Sequence, residues 1–144
     1  MDTQSLVTKT SLITELGLLR CPISMTFYYD PVIAEDGYTY ERANIEAHFE
    51  IKHTSPMTNE PIGNSLTSNL ILKQIIKNVL ENNSNLRLKN YYDPVVAEDG
   101  YTYERAIIEA HFEINHTSPM TNEPIGNSLT SNLILKQIIK CIRK

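Results

Sequence analysis

Apolar residues recur with a helical period at the middle of the chain. They fall at positions i, i+3, i+4, i+7 and i+8, with lysine and glutamine off the stripe, which is typical of an amphipathic helix. The members of this stripe are Leu72, Ile75, Ile76, Val79 and Leu80. We expect most of them in the core, with any exposed part available for self-association, and we expect Ser68 to cap the helix.

A β-hairpin and a further helix are predicted upstream of this stripe. The hairpin comprises a strand at residues 30–34, a turn at 35–37 and a return strand at 38–40. The turn is Glu-Asp-Gly, and Asp-Gly between β-forming residues favours a hairpin. Thr39 is a suitable N-cap for a helix that follows directly. Ile45 and Phe49, four residues apart, give that helix one apolar stripe.

Segments that contain proline are predicted to be loops on either side of these elements. Pro22 lies within residues 21–25, and Pro56 and Pro61 lie within residues 53–66. Proline fixes one backbone angle and removes a hydrogen-bond donor, so regular structure is unfavourable at these positions.

The chain repeats itself almost without change. Residues 28–77 recur as residues 91–140 with a constant offset of 63, and only three of the 50 positions differ. The differing pairs are Ile33/Val96, Asn44/Ile107 and Lys52/Asn115. A repeat of this kind predicts two small units in tandem. The predicted division is an N-terminal extension at 1–20, unit 1 at 21–82, a linker with a degenerate first loop at 83–90 and unit 2 at 91–144.

The N-terminal extension permits two interpretations. Its apolar residues Leu12, Ile13, Leu16 and Leu19 are spaced for a short amphipathic helix that ends near Gly17. The alternative is a partly ordered tail.

Units of about 60 residues are marginally stable and need additional stabilisation. Disulfides do not supply it, because the two cysteines, Cys21 and Cys141, have no counterpart in the other repeat, and we expect a reduced, intracellular protein. Zinc is also disfavoured, because a zinc module needs about four Cys or His ligands and each repeat offers two histidines and at most one cysteine. We therefore expect no metal.

The charge distribution argues against two classes of partner. The formal net charge is −4, and lysine and arginine are scattered, so the chain lacks a surface that would follow phosphates and we expect no nucleic acid partner. No apolar run approaches the ~18 residues of a membrane span, and the N-terminus does not resemble a signal peptide, so we expect no membrane partner.

Six short motifs follow one another through unit 1. They are Cys-Pro-Ile at 21–23, Asp-Pro-Val at 30–32, Gly-Tyr-Thr-Tyr-Glu-Arg at 37–42, Ile-Glu-Ala-His at 45–48, Ser-Pro-Met-Thr-Asn-Glu-Pro at 55–61 and Asn-Leu-Ile-Leu at 69–72. This series resembles the U-box family of ubiquitin ligases. The resemblance covers the chain from residue 21 to about residue 80.

The resemblance implies an α+β fold made of two tandem RING-like units without zinc. Each unit would contain a β-hairpin, a central helix, two loops and a C-terminal helix. Hydrogen bonds and packing would replace the zinc ions, which requires that every buried donor and acceptor is paired. The candidate polar residues for this role are Asp30, Tyr38, Thr39, Tyr40, Glu41, Arg42, Asn59 and Asn69.

The resemblance also implies that unit 1 binds a ubiquitin-conjugating enzyme and promotes transfer of ubiquitin to a lysine of a protein substrate. In U-boxes two loops and the central helix form a shallow groove for that enzyme. By position, the groove residues here are Ile23, Met25, Ala47, His48, Pro56, Thr58 and Pro61. Such ligases form no covalent intermediate and use no cofactor, because they act by holding the ubiquitin thioester in an attack-ready arrangement.

Asn59 occupies a position at the end of the second loop that commonly donates a hydrogen bond to both the conjugating enzyme and ubiquitin. An amide can donate, but it lacks the charge of the arginine often found there, so weaker activation is expected.

Unit 2 departs from the U-box pattern where recruitment would begin. Residues 84–88, Ser-Asn-Leu-Arg-Leu, stand in place of residues 21–25, so the proline is lost. The weaker candidate site residues of this unit are Leu86, Leu88, His111, Pro119, Asn122 and Pro124. Leu86 and Leu88 either replace Ile23 and Met25 or continue the preceding helix into the interface between units. We expect unit 1 to recruit the conjugating enzyme and unit 2 to be degenerate.

Two other functional classes remain open. The chain is a ligase, a pseudo-ligase whose units bind partner proteins without activating transfer, or a structural repeat protein. The substrate would bind unit 2 or the N-terminal extension. We expect the protein in the cytoplasm, which would be the host cytoplasm if the source is a pathogen or virus.

Overall fold

The computed structural model describes residues 17–80 and 91–142, which form two repeats of the same arrangement. Unit 1 contains strands β1 (Pro31–Ile33), β2 (Thr39–Glu41) and β3 (Thr67–Ser68) and helices α1 (Arg42–Ile51) and α2 (Leu70–Leu80). Unit 2 contains strands β4 (Pro94–Val96), β5 (Thr102–Glu104) and β6 (Thr130–Ser131) and helices α3 (Arg105–Phe112) and α4 (Leu133–Ile142). The predicted α+β architecture of two tandem units is therefore confirmed.

Each unit is built on a small antiparallel sheet. The strand order is β2-β1-β3 in unit 1 and β5-β4-β6 in unit 2. The predicted hairpin is present, with Val32 opposite Tyr40, and both of these side chains are fully buried. Gly37 adopts a φ of 85° at the turn, a conformation that favours glycine. Strand β3 was not predicted, because two residues in a segment rich in serine and asparagine carry no strand periodicity.

The two predicted N-caps are wrong. Thr39 and Ser68 both pair in the sheet, and Glu41 precedes α1 without a side-chain cap. Helix α2 is instead capped by Asn69, whose Oδ1 accepts a hydrogen bond from the N–H of Leu72 at 3.4 Å. The side-chain amide of Asn69 also donates to Thr39 Oγ1 at 3.1 Å. Thr39 and Ser68 do not cap the helices, because the backbone of each pairs with β1 in the sheet.

Carboxylates connect the loops of unit 1 to its sheet through hydrogen bonds and an ion pair. Asp36 Oδ2 accepts hydrogen bonds from the Tyr40 hydroxyl at 2.7 Å and from the Ser55 hydroxyl at 2.6 Å. Asp30 pairs with Arg42 at 2.7 Å. Burial raises the pKa of the Asp30 carboxyl, but the hydrogen bond and charge of Arg42 outweigh this and hold the pKa below its ordinary value. In the described residues every buried side-chain nitrogen and oxygen has a hydrogen-bond partner.

Neither a disulfide nor a cluster of metal ligands is present in the part of the chain that the structure describes, residues 17–80 and 91–142. The two cysteines are free and buried. No group of three or more His, Cys, Asp or Glu side chains in this part of the chain is arranged to hold a metal ion. Among the helices described, none has the length and apolarity needed to cross a bilayer.

The larger of two hydrophobic clusters in the described residues joins the two units, and Val95, Ile108 and Phe112 form a smaller cluster within unit 2. The cluster of buried residues in unit 1 includes Val32, Ile45 and Leu72 and extends to residues of α4 in unit 2. Those α4 residues are Leu135, Ile138 and Ile139. The helical stripe that the sequence pattern assigned to each unit therefore also packs across the boundary between them.

Asn69 and Asn132 form a reciprocal amide pair at this boundary. Each donates from Nδ2 to the other's Oδ1, at 3.2 and 3.1 Å, and both side chains are fully buried. The two residues occupy equivalent positions in the repeats, so the interface uses the same patch of both units, as in a two-fold symmetric dimer. We describe this as a pseudo-two-fold interface.

Glycine permits close approach on both sides of the amide pair. A Cβ at Gly37 would lie 3.1 Å from Leu133 Cδ1, and a Cβ at Gly100 would lie 3.1 Å from Leu70 Cδ1. The N–H of Leu70 also donates to the Gly100 carbonyl at 3.4 Å. Each hairpin turn therefore contacts the first residue of the C-terminal helix of the other unit.

Replacement of Asn69 or Asn132 by alanine is expected to destabilise the chain, because each change removes a helix cap and leaves the partner amide buried without its full set of partners. Together these losses cost about 2–4 kcal/mol. The double variant is expected to cost about 1–2 kcal/mol less than the sum of the single variants, since the two residues interact directly. Unfolding by chemical denaturant measures the free energy of unfolding of the wild type, the two single variants and the double variant.

Asn59 and Asn122 provide the matched control, because they are equivalent, exposed and outside the interface. Their alanine variants should be additive. Additive free energies for Asn69 and Asn132 would contradict the amide pair.

Candidate functional site

Loop one, defined as residues 20–27, is a tight turn closed by hydrogen bonds across its base. The N–H of Cys21 donates to the Thr26 carbonyl at 2.8 Å, and the N–H of Met25 donates to the Cys21 carbonyl at 2.7 Å. Arg20 donates to the Met25 carbonyl at 3.1 Å, and its guanidinium lies 4.4 Å from the centre of the Phe27 ring. Met25 has a φ of 62°, so the turn is held in a conformation that residues other than glycine adopt infrequently.

Loop two, defined as residues 54–61, repeats this geometry. The N–H of Ser55 donates to the Glu60 carbonyl at 2.8 Å, the N–H of Asn59 donates to the Ser55 carbonyl at 2.8 Å, and Asn59 has a φ of 64°. The Ser55 hydroxyl accepts from the N–H groups of Met57 and Thr58 at 3.1 and 3.0 Å while donating to Asp36 in the hairpin turn. Ser55 was not among the predicted polar residues, although its place before Pro56 parallels that of Cys21 before Pro22.

The thiol of Cys21 is the counterpart of the Ser55 hydroxyl. It accepts the N–H of Glu41 at 3.2 Å and the side-chain amide of Asn44 at 3.6 Å. Burial raises the pKa of the thiol, but these bonds and those from the N–H groups of Ser24 and Ile23 hold the pKa below its ordinary value. Cys21 is fully buried, so it serves as an acceptor that shapes loop one.

Helix α1 is bonded to both loops from one face. Asn44 donates to Cys21 in loop one, and the His48 Nε2, one turn later, is 2.8 Å from the Thr54 carbonyl in loop two. Residues four apart lie on the same side of a helix, so the two bonds fix the helix between the loops. The His48 ring is thus engaged with loop two.

The predicted apolar contact residues lie at the surface of these loops. Ile23 is 39% exposed and Met25 is 64% exposed. In loop two Pro56 is half-buried, and Thr58, Asn59 and Pro61 are exposed, as is Ala47 on α1. Pro22 and Met57 line one cavity, which places the two loops beside each other. Met57, 49% exposed, was missed, although it follows Pro56 as Ile23 follows Pro22.

Unit 2 keeps loop two and its anchors. Ser118 donates to Asp99 Oδ2 at 2.6 Å, and His111 Nε2 is 2.8 Å from the Thr117 carbonyl. The other predicted residues of this loop, Pro119, Asn122 and Pro124, are exposed.

The side-chain amide that anchors loop one in unit 1 has no equivalent in the sequence of unit 2. Ile107 replaces Asn44 on α3, is 68% exposed and has no polar group to donate. The residue equivalent to Cys21 is Ser84, and Leu86 and Leu88 with it lie outside the described residues. The described part of unit 2 therefore contains one of the two features that fix α1 in unit 1.

A family model described as the U-box domain matches residues 17–85 and 88–144. A probable bifunctional E2/E3 enzyme of Acanthamoeba polyphaga mimivirus is 52% identical over 64 residues, which are 44% of this chain and 5% of that protein. A WD repeat, SAM and U-box domain-containing protein of Danio rerio is 53% identical over 58 residues, 39% of this chain and 12% of that protein. An E3 ubiquitin-protein ligase of Oryza sativa subsp. japonica is 44% identical over 66 residues, 44% of this chain and 10% of that protein.

The chain thus spans 12% or less of the length of these three relatives. The two matched regions coincide with the two repeats and together cover most of the sequence. With the paired loops and the polar anchors of the sheet, they confirm the resemblance inferred from the motifs: the chain belongs to the U-box family and carries two tandem U-box units.

Proposed function

We propose that this chain acts as a ubiquitin ligase that binds a ubiquitin-conjugating enzyme through unit 1. The observation that carries the proposal is the double anchoring of α1, by Asn44 to loop one and by His48 to loop two. This arrangement holds Ile23 and Pro56, two of the apolar residues that the family resemblance assigns to the groove, on a rigid support. Two of the relatives are named as ligases, which agrees with the proposal.

The proposed contribution to the reaction is positioning. The substrate lysine amine attacks the thioester carbonyl of the ubiquitin carried by the conjugating enzyme, and the cysteine thiolate of that enzyme leaves. Unit 1 forms no thioester with ubiquitin, because its cysteine, Cys21, is fully buried. Holding the thioester in an attack-ready geometry removes part of the entropic barrier, and this effect requires a rigid docking surface.

The assignment to unit 1 follows from the differences between the repeats. Loop one depends on the acceptor Cys21 and the donor Asn44, and unit 2 has Ser84 and Ile107 at these positions. The exchange of Asn44 for Ile107 leaves an apolar side chain exposed on α3. We assign substrate binding to unit 2 or to the N-terminal extension, and we place the protein in the cytoplasm.

Alanine replacement of Pro56 is expected to weaken binding of the conjugating enzyme by about tenfold, the effect of losing a central contact in an interface. Pro119→Ala is the matched control. Both prolines lie in the same local structure, so replacement of either is expected to lower the free energy of unfolding by a similar amount. Calorimetric titration against a panel of conjugating enzymes measures the affinities, and Ile23→Ala should behave as Pro56→Ala does. Equal loss of binding from Pro56→Ala and Pro119→Ala would contradict recruitment through unit 1.

The same panel separates a ligase from a pseudo-ligase. A ligase is expected to accelerate discharge of the ubiquitin thioester to free lysine with at least one bound conjugating enzyme. Binding without any acceleration across the panel would favour a non-catalytic binding module.

Asn59→Arg is expected to raise the rate of thioester discharge a few-fold, because a charged donor forms a hydrogen bond roughly twice as strong as a neutral one. Arginine is less suited than asparagine to the φ of 64° at this position, and Asn122→Arg has the same cost at the same φ. The control should leave discharge unchanged. No increase for Asn59→Arg, with binding retained, would show that Asn59 does not contact the ubiquitin-loaded enzyme.

A further inference from the structure

We infer that unit 2 positions the recruiting loops of unit 1, through the first turn of helix α4. This inference rests on the proposed function, because it concerns the same docking surface. It assigns a role to the degenerate unit that requires no conjugating enzyme on unit 2. Ile134 and Leu133 are the positioning residues.

The first turn of α4 lies beside both loops of unit 1. Ile134 and Leu133 surround a cavity of about 170 Å³ together with Pro22 of loop one and Met57 of loop two. Leu133 also touches the hairpin turn, since a Cβ at Gly37 would lie 3.1 Å from its Cδ1. Residues from both loops and from the other unit therefore meet around one small space.

Residues of α4 beyond its first turn belong to the core of unit 1. Ile138 lies in the same buried cluster as Cys21 of loop one and the neighbouring Leu19, and Ile134 packs against that cluster. Cys21 is the residue whose thiol accepts the bonds from Asn44 and Glu41. A shift of α4 would therefore change the packing of the cluster that contains Cys21.

Hydrogen bonds within loop one and from other elements of unit 1 hold this loop. Its own hydrogen bonds close the turn, and the bonds from Asn44 and Glu41 come from α1 and β2. These bonds fix the shape of the loop. In the proposed role, packing of the first turn of α4 around the cavity that Pro22 and Met57 line fixes the position of loop one relative to loop two. Catalysis by positioning is sensitive to displacements of about 1 Å, so this packing is expected to influence recruitment.

The pseudo-two-fold interface supplies a matched control. Ile71 of α2 is equivalent to Ile134, and it lines the corresponding cavity with Tyr101 and Met120 of unit 2. Ile71 thus makes the equivalent approach to the unit in which the Cys-Pro-Ile sequence of loop one is replaced by Ser-Asn-Leu. Both isoleucines pack against the shared core, so loss of either should weaken the interface. Only Ile134 lines the cavity with Pro22 and Met57, so only its loss should disturb the recruiting loops.

The test compares Ile134→Ala with Ile71→Ala in the full chain. Both are expected to lower the melting temperature by a similar amount. Ile134→Ala is expected to raise the Kd for the conjugating enzyme, and its KM in thioester discharge, about fivefold with kcat nearly unchanged, while Ile71→Ala stays within about twofold of wild type. Amide exchange at Cys21 and Met25 should accelerate in Ile134→Ala alone. If Ile134→Ala does not fold, Ile134→Val and Ile71→Val are compared by amide exchange at these positions.

The Ile23→Ala variant distinguishes failure of the positioning role from failure of the proposed function. Loss of binding in Ile23→Ala with equal behaviour of the two isoleucine variants would overturn the positioning role and leave the proposed function in place. Normal binding in Ile23→Ala would show that the docking surface itself is wrong, and the positioning role would fall with it.

Discussion

The buried amide pair of Asn69 and Asn132 is the interaction on which the arrangement of this molecule depends. An asparagine side chain has two donors and two acceptor sites, and each of these residues uses all four, toward its partner, toward a threonine hydroxyl and toward the first turn of a helix. Two fully buried amides without such partners would be strongly destabilising. The pair therefore favours one relative placement of the units, because only that placement satisfies both side chains.

The amide pair also explains how two small units become stable together. A unit of this size buries too little apolar surface to be very stable alone. The isologous interface adds the stripe of α4 to the core of unit 1, so that Ile138 and Ile139 are buried in the same cluster as Val32 and Leu72. Within each unit, carboxylates such as Asp36 connect the sheet to a loop. Apolar packing between the units and polar contacts within each unit thus act together to stabilise the chain.

Near-identity of sequence does not make the two units equivalent. Both units contribute equivalent residues to the interface that joins them. Their first loops differ, because the donor Asn44 is replaced by Ile107 and the proline Pro22 by Asn85 in unit 2. Under the proposed function, unit 1 is specialised for recruitment and unit 2 serves as its support.

Much of this fold is predictable from local patterns. The Asp-Gly turn predicts the hairpin, and the spacing of Ile45 and Phe49 and of the Leu72 stripe predicts the helices. The helix caps were predicted wrongly, because Thr39 and Ser68 are taken up by sheet pairing, a tertiary effect that local sequence does not report. The partnership of Asn69 with Asn132 was also missed, since the spacing of polar residues does not identify which of them meet across an interface.

The candidate site was predicted in a different way. The contact residues came from the family resemblance, which named Ile23 and Pro56 but not the bonds that hold them in place. The roles of Ser55 and Asn44 became visible only in three dimensions, although the parallel between Cys-Pro-Ile and Ser-Pro-Met already indicated two similar loops. The exchange of Asn44 for Ile107 was a useful signal, because it is one of only three differences within the repeat.

The central claim is that the pseudo-symmetric pair presents one recruiting surface. The most direct test is the stoichiometry of binding between the full chain and a saturating conjugating enzyme, measured by titration calorimetry and checked by native mass spectrometry. The account predicts one conjugating enzyme per chain. Two bound enzymes of similar affinity would contradict it, because unit 2 would then recruit as well as unit 1 despite its altered first loop.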